Sequence, residues 1–304
     1  MKLSKIKSLL SRVPEPTVGV LKSILGFIGI FMVSAIVAEI IIMLIFTLVG
    51  IDIFGGSLPQ NNLLVQTIPL YGFILFMITS IIYCKFIEKR SLKSMGFTNK
   101  GIISNYIKGL IIGILLVSIV LFIALSSGAL TYQGISENIN TLTVLVFLGG
   151  YIIQGMSEEV MCRGYLMISL SKKISIFWAI IISSLAFVFP HLYSLMMSGV
   201  TFGIIGFINT MLFSVLVSIF MIRKKNIWLI AAIHSTWNFI LGVFFGISVS
   251  GGKTGPSVFS FTANQSHALI NGGKYGLEAS IITTLILLFS ILLLIYGIKS
   301  KKTT

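Results

Sequence analysis

Charge is what this chain has least of: Asp, Glu, Lys and Arg are only 10% of 304 residues, and mean hydropathy is +1.05. So few charges exclude a soluble globular or disordered protein and leave a membrane protein as the class. No internal repeat and no soluble domain can be read from the chain. The cysteine count is two, Cys84 and Cys162, which excludes a disulfide scaffold. Both are expected on the cytosolic side, where thiols stay reduced, as small apolar filler. No cleavable signal peptide is visible.

What is there is a series of uncharged apolar runs. A helix needs roughly 20 residues to cross the hydrocarbon, and runs near that length occur at 23–50, 66–85, 104–128, 141–162, 175–196, 200–222, 226–248 and 279–298. Residues 174–222 lack charge throughout, too long for one span, and Ser198-Gly199 is the natural turn between two. The expected fold is therefore all-α, a single polytopic membrane domain of about eight transmembrane helices over 1–304. Residues 1–17 put Leu3, Ile6, Leu9, Leu10 and Val13 on one helical face before Pro14 and Pro16, the pattern of an interfacial amphipathic helix.

Where basic residues are missing is equally informative. Loops 51–65, 129–140 and 194–200 contain no Lys or Arg, whereas the alternate segments carry Lys2 to Lys22, Lys85 to Lys108, Lys172-Lys173, Arg223 to Lys225 and Lys299 to Lys302. Only Lys253 and Lys274, in the long loop 249–277, break the alternation. The positive-inside rule then places both termini in the cytoplasm. The net charge of +14 meets anionic lipid headgroups, and no nucleic-acid partner is expected. Loop 249–277, rich in Gly, Ser and Asn, reads as an external flap or cap, with His267 solvated in it. Few prolines, abundant Ile, Lys and Asn, and no sorting signal fit the cell membrane of a bacterium.

Against this background Glu158, Glu159 and Arg163 are out of place. A charge at the bilayer centre costs about 2.5–3.5 kcal/mol on insertion scales, so such residues face a protein interior or a wet cavity. Glu159 and Arg163, four apart, share a helix face and can pair, while Glu158 points about 100° away and keeps a carboxylate for proton transfer. The alternative is a purely structural ion-pair knot of all three. His191 follows Pro190 in the fifth run, with Phe187 one turn earlier as a ring that could wall off the imidazole. His234 and Asn238 share a stripe of the seventh run and offer donors for a water or a developing oxyanion. On straight spans counted from the basic loops these groups spread over roughly 14 Å of depth. A re-entrant 164–174, a tilt or a kink at Pro190 would have to close that gap. Glu39, a lone acid in the first run, is a weaker candidate, and Asn209 reads as helix-to-helix glue.

Glu158-Glu159-x-x-x-Arg163, Phe187-x-x-x-His191 and His234-x-x-x-Asn238, in that order and with Gly164-Tyr165-Leu166 after the arginine, resemble the three motifs of the CPBP family. That family comprises the CAAX-processing proteases and the bacteriocin-processing or immunity proteins, also called Abi proteins. The resemblance covers about 140–245. It implies an intramembrane endopeptidase in which Glu158, assisted by His191, activates water, His234 and Asn238 form the oxyanion hole, and Glu159, Arg163 and Phe187 support them. It also implies a metalloprotease. His191, His234 and Glu158 are the chemically suitable ligands for a divalent metal such as zinc. HExxH is absent, however, and a glutamate–histidine pair can polarise water without metal. The implied partners are membrane lipids and a membrane-bound peptide or lipidated protein, either a prenylated CAAX-like C-terminus or a bacteriocin or signal-peptide precursor. One rival is a non-proteolytic immunity or binding protein. Another is a proton-relaying transporter, which would need broken helices at matching places in two halves; no such pairing is present.

Overall fold

The computed structural model describes residues 19–52, 58–59, 62–136, 140–252 and 255–300, with side chains as far as Tyr296. The amphipathic segment expected at 1–17 lies outside the described residues. Among the described residues eight long helices follow in order: α1 Val20–Leu48, α2 Leu63–Ile87, α3 Ile102–Ser126, α4 Thr141–Ser171, α5 Ile176–Met197, α6 Val200–Lys224, α7 Ile227–Phe244 and α8 Ile281–Ser300. The first seven are long and apolar enough to cross a membrane, and α8 adds a shorter apolar stretch, Ile281–Tyr296. The chain is thus a multi-pass, all-α membrane protein. The turn between α5 and α6 falls at Ser198 and Gly199, the latter with φ of +87°.

Helix starts follow local chemistry. Asn62 accepts from Leu64 N at 2.9 Å, Asn140 from Thr143 N at 2.8 Å and Asn226 from Leu229 N at 3.0 Å, each covering an amide that the first helical turn leaves unpaired. The outer helices are wet by lipid: Leu21, Ile28, Val33, Ile36 and Leu44 of α1 are all exposed. Glu39 is also on the exposed face of α1 and lines neither cavity of the site described below.

The centre belongs to α4 and α7. Residues 155–170 of α4 and 229–238 of α7 are buried without exception. Lipid tails provide little hydrophobic force between helices, so close packing through small residues has to hold them together. Gly155 of α4 supplies the contact: a Cβ there would lie 2.5 Å from Ser235 Oγ and 2.8 Å from Ser235 N. Gly109 and Gly113 of α3 do the same against α7, at Leu229 O and Thr236. Because the obstacle at Gly155 includes backbone, Gly155→Ala should push α4 from α7 and cost about 1–3 kcal/mol, as overpacking does. Unfolding of the purified protein in detergent measures this, and unchanged stability would mean that the helices are free to separate there.

One feature departs from an all-helical reading of the loops. Leu130–Ile135 (β1) pairs antiparallel with Phe259–Ala263 (β2), with a bulge between Tyr132 and Gly134. The segment expected as an external flap is therefore tied to the loop after α3. Short helical turns follow at Gln265–His267, Ala268–Asn271, Gly273–Tyr275 and Leu277–Ala279.

Candidate functional site

Glu158, Glu159 and Arg163 of α4 and His234 of α7 form one connected cluster. Glu159 Oε1 accepts from Arg163 Nη1 at 3.0 Å and lies 2.8 Å from His234 Nδ1. The other imidazole nitrogen, Nε2, is 3.4 Å from Glu158 Oε2. His234 thus bridges the two adjacent carboxylates. With Nδ1–H donating to Glu159, the Nε2 lone pair or proton faces Glu158. The Glu158–His234 approach is ion-pair distance without hydrogen-bond geometry, so Glu158 Oε2 is buried with no donor among the described residues.

Arg163 is fully buried and spread over three helices. Its Nη2 donates to Ser214 Oγ of α6 at 2.6 Å, and that hydroxyl passes a bond to Ser184 Oγ of α5 at 2.7 Å. Its guanidinium carbon sits 4.4 Å from the Phe187 ring centroid, a desolvated cation–π contact. Phe187 also meets His191 and, edge-on, His234. It therefore walls the imidazoles, as its spacing suggested, and additionally caps the arginine. Across these residues α4 runs as a π-helix, Val160–Met167, a deformation found frequently at functional sites.

His191 ends a short 3₁₀ turn, Phe189–His191, at the end of which its Nδ1 lies 3.0 Å from Phe187 O. A carbonyl can only accept, so Nδ1 carries the proton and Nε2 is left as an acceptor. His191 belongs to two cavities. One, of about 110 Å³, is lined by Glu158, Phe31, Phe76, Met161 and Phe187 among others. The second, about 30 Å³, is lined by His234, Asn238, Trp237 and Glu278. Each has room for water at this scale, about 10–15 Å³ being the minimum for one molecule. The structure thus gathers Glu158, His191, His234 and Asn238 around two adjoining spaces.

The depth gap expected between these groups closes for a specific reason. The N-terminus of α7 does not start at the level of the α4–α5 turn. Ile227 N donates to Gly96 O at 3.0 Å, and Met95 and Ile227 both pack on Gly164. The Leu92–Met95 turn is itself held against α4 by Arg90, which donates to Gly164 O at 2.8 Å. Measured from that shared level, Glu158 is six residues along α4 and His234 seven along α7, a difference of about 1.5 Å. Likewise α4 continues unbroken to Ser171, so no re-entrant 164–174 exists.

Four contributors are not legible in the sequence as site residues. Gln154, one turn before Glu158, donates to Glu158 Oε1 at 3.5 Å and accepts from Asn238 Nδ2 at 3.3 Å, linking the two. Its i–4 spacing was the available signal. Ser214 and Ser184 carry no signal in the sequence. Glu278, from the loop before α8, takes the Trp237 indole N–H at 2.9 Å and the Ser250 amide, and closes the smaller cavity from outside. Asn209 donates to Glu278 O and Ser280 O and accepts from Thr284, the glue between α6 and the α8 entry that its position suggested.

For a metal, two imidazoles and a carboxylate are suitable donors. Among the described residues, though, no three His, Cys, Asp or Glu side chains stand close enough together to hold an ion. His191 Nε2, His234 and Glu158 do not converge on one point.

Fold and site together define a multi-pass helical membrane protein with a buried acid–imidazole–amide cluster in its interior. Residues 140–240 match the family model described as Rce1-like, type II CAAX prenyl endopeptidase Rce1-like. The matched stretch spans α4 to α7 and contains all three motifs, so the resemblance to the CPBP and CAAX proteases is borne out there. It indicates an intramembrane endopeptidase of CAAX type. Comparison with curated proteins gives no match.

Proposed function

We propose that the protein hydrolyses peptide bonds of membrane-bound substrates, with Glu158 as the general base. The observation that carries this reading is Glu158 Oε2, a buried carboxylate oxygen with no donor, beside His234 Nε2 and on the same cavity wall as His191. Glu159 Oε2 is unpartnered as well, but of the two adjacent acids only Glu158 lines a cavity described above, one with room for water.

The chemistry follows from the contacts. Glu158, steadied by Gln154, takes a proton from water while His191 Nε2 accepts the second hydrogen bond of that water and orients it. The oxygen attacks the scissile carbonyl carbon. Asn238 spends one amide N–H on Gln154 and keeps the other for the oxyanion, which Nε2–H of His234 assists when the imidazole, held between two carboxylates, carries a proton on both nitrogens. Collapse of the tetrahedral intermediate breaks the C–N bond, and the proton held by Glu158 goes to the leaving amine. Glu159 and Arg163 hold His234 and α4 in register. No step requires an ion; a divalent metal at Glu158, His191 or His234 would instead supply a Lewis acid.

The family match makes prenylated C-termini the first substrates to try, with bacteriocin or signal-peptide precursors next. The termini that carry lysines and arginines are placed in the cytoplasm by this reading, in the membrane of a bacterial cell. The test uses purified protein in vesicles and two peptides of one sequence, with and without a C-terminal prenyl-cysteine motif, analysed by mass spectrometry. Cleavage of the prenylated peptide is expected. Cleavage of neither, with the protein folded, removes the CAAX-type substrate and favours the immunity or binding role. Asn238→Ala should lower the turnover of whichever peptide is cut by about 10²–10³-fold, the loss expected for one oxyanion donor. A change confined to KM would instead place Asn238 in substrate binding.

A further inference from the structure

A cavity of about 960 Å³ opens among the ends of α2, α3 and α6, and shares no residue with the two cavities of the Glu158 site. Lys85, Lys93, Lys100 and Lys224 line it, with no Asp or Glu among its lining. Arg90 lines it too, but its guanidinium is committed to Glu88 at 2.7 Å and to Ser169 at 2.5 Å, so it adds little free charge. Among the described residues none of the four lysines has an ion-pair partner. Loops on the basic side of any membrane protein collect lysines. They seldom set four around one concave space without a carboxylate, because like charges confined together repel.

The backbone points the same way. Both α3, after Gly101, and α7, after Asn226, begin at this cavity, and neither carries an acid in its first turn. The uncapped α3 N-terminus presents the positive end of its helix dipole, which favours an anion, whereas at α7 the amides of Ile227 and Leu229 are already taken by Gly96 O and Asn226 Oδ1. Asn226 Nδ2 is bonded to Thr98 Oγ1 at 2.8 Å, which fixes one polar wall. Ile81, Leu92 and Phe97 supply an apolar wall beside the lysines.

We propose that this cavity binds a phosphoryl anion, either as the headgroup of an anionic phospholipid or as a soluble phosphate ester. The site is coupled to the fold that builds the catalytic cluster. The turn Leu92–Met95, which contributes Lys93, is continuous with Gly96, the seat of the α7 N-terminus. A ligand bridging Lys93, Lys100 and Lys224 braces that seat and should raise thermal stability by mass action.

The experiment is native mass spectrometry of the full chain in neutral detergent, offered phosphatidylglycerol, phosphatidylcholine, glycerol 3-phosphate or inorganic phosphate. Retention of phosphatidylglycerol over phosphatidylcholine by about tenfold or more is expected, given the attraction of each interfacial lysine for anionic lipid. The triple variant K93Q/K100Q/K224Q should lose the preference, while K299Q/K301Q/K302Q, with the same loss of charge, keeps it. Displacement of the lipid by glycerol 3-phosphate would assign a soluble ester as sufficient; resistance to displacement would assign the lipid. Equal retention of both lipids with no phosphate bound, or equal losses in the two triple variants, would overturn the proposal. Should K93Q/K100Q/K224Q not fold, K93Q and K224Q are read singly, and an unchanged preference in both has the same force.

Discussion

Glu158→Gln is expected to abolish measurable cleavage, by about 10²–10⁴-fold in turnover, while the protein stays folded. Glutamine keeps the shape and can still pair with Gln154, which now contacts Glu158 at 3.5 Å. What it lacks is an oxygen able to take a proton, the property that the unpartnered Oε2 contributes. Single-turnover cleavage with matched thermal unfolding separates the two effects. Turnover within about threefold of wild type would remove Glu158 from the chemistry, because general-base catalysis is worth at least about a hundredfold. Glu159→Gln should behave in the opposite manner, since both its buried partners, Arg163 and His234, lean on its Oε1. Its first symptom is lost stability.

The second large effect is at Arg163. Removing one partner of a buried ion pair strands the other, and Arg163→Met should cost about 3–5 kcal/mol. The guanidinium reaches Glu159 and Ser214 with separate nitrogens and lies over Phe187, so the loss spreads through α4, α5 and α6. Lysine, a single point charge, cannot make both bonds, and Arg163→Lys should recover only part of the stability. The double variant Glu159→Gln/Arg163→Met should be more stable than Arg163→Met alone, because the carboxylate that Arg163 compensates is removed with it. Denaturant unfolding in detergent decides it. If the double variant is the weaker of the two, the pair is not the reason Arg163 matters.

Much of this architecture was legible because lipid imposes a length on every span. The run read as 104–128 is a helix at Ile102–Ser126, and Ser198-Gly199 is the turn. The fourth apolar run stops at 162, just before Arg163. The helix in fact runs to Ser171, since Glu159, Ser214 and Phe187 neutralise and cover the guanidinium inside the protein. Depth was misjudged for a related reason. Basic residues at 223–225 suggested that α7 starts at the membrane surface, whereas its first residue docks on Gly96, recessed to the level of Gly164. Charge patterns report which side a loop lies on and carry no information about how far it dips.

The remaining omissions share a cause. The strand pair joins Leu130–Ile135 to Phe259–Ala263 across most of the second half of the chain, and neither segment alternates strongly enough to announce itself. Glu278 reaches Trp237 from a different loop, a contact that no helical spacing encodes. By contrast Glu159 with Arg163, and Phe187 with His191, were readable because each pair lies one helical turn apart. Residues that meet through tertiary folding are not encoded by helical spacing: the family resemblance groups the ordered motifs into one site, but the contact of Glu159 with His234 is visible only in the structure.

The most direct measurement of the central claim compares peptide termini in membranes of cells expressing the wild-type chain or Glu158→Gln at equal levels. Termini present only with wild type are the predicted result, and they would identify the substrate together with the bond that is cut. Identical termini, with both proteins folded and inserted, would contradict an endopeptidase built on Glu158.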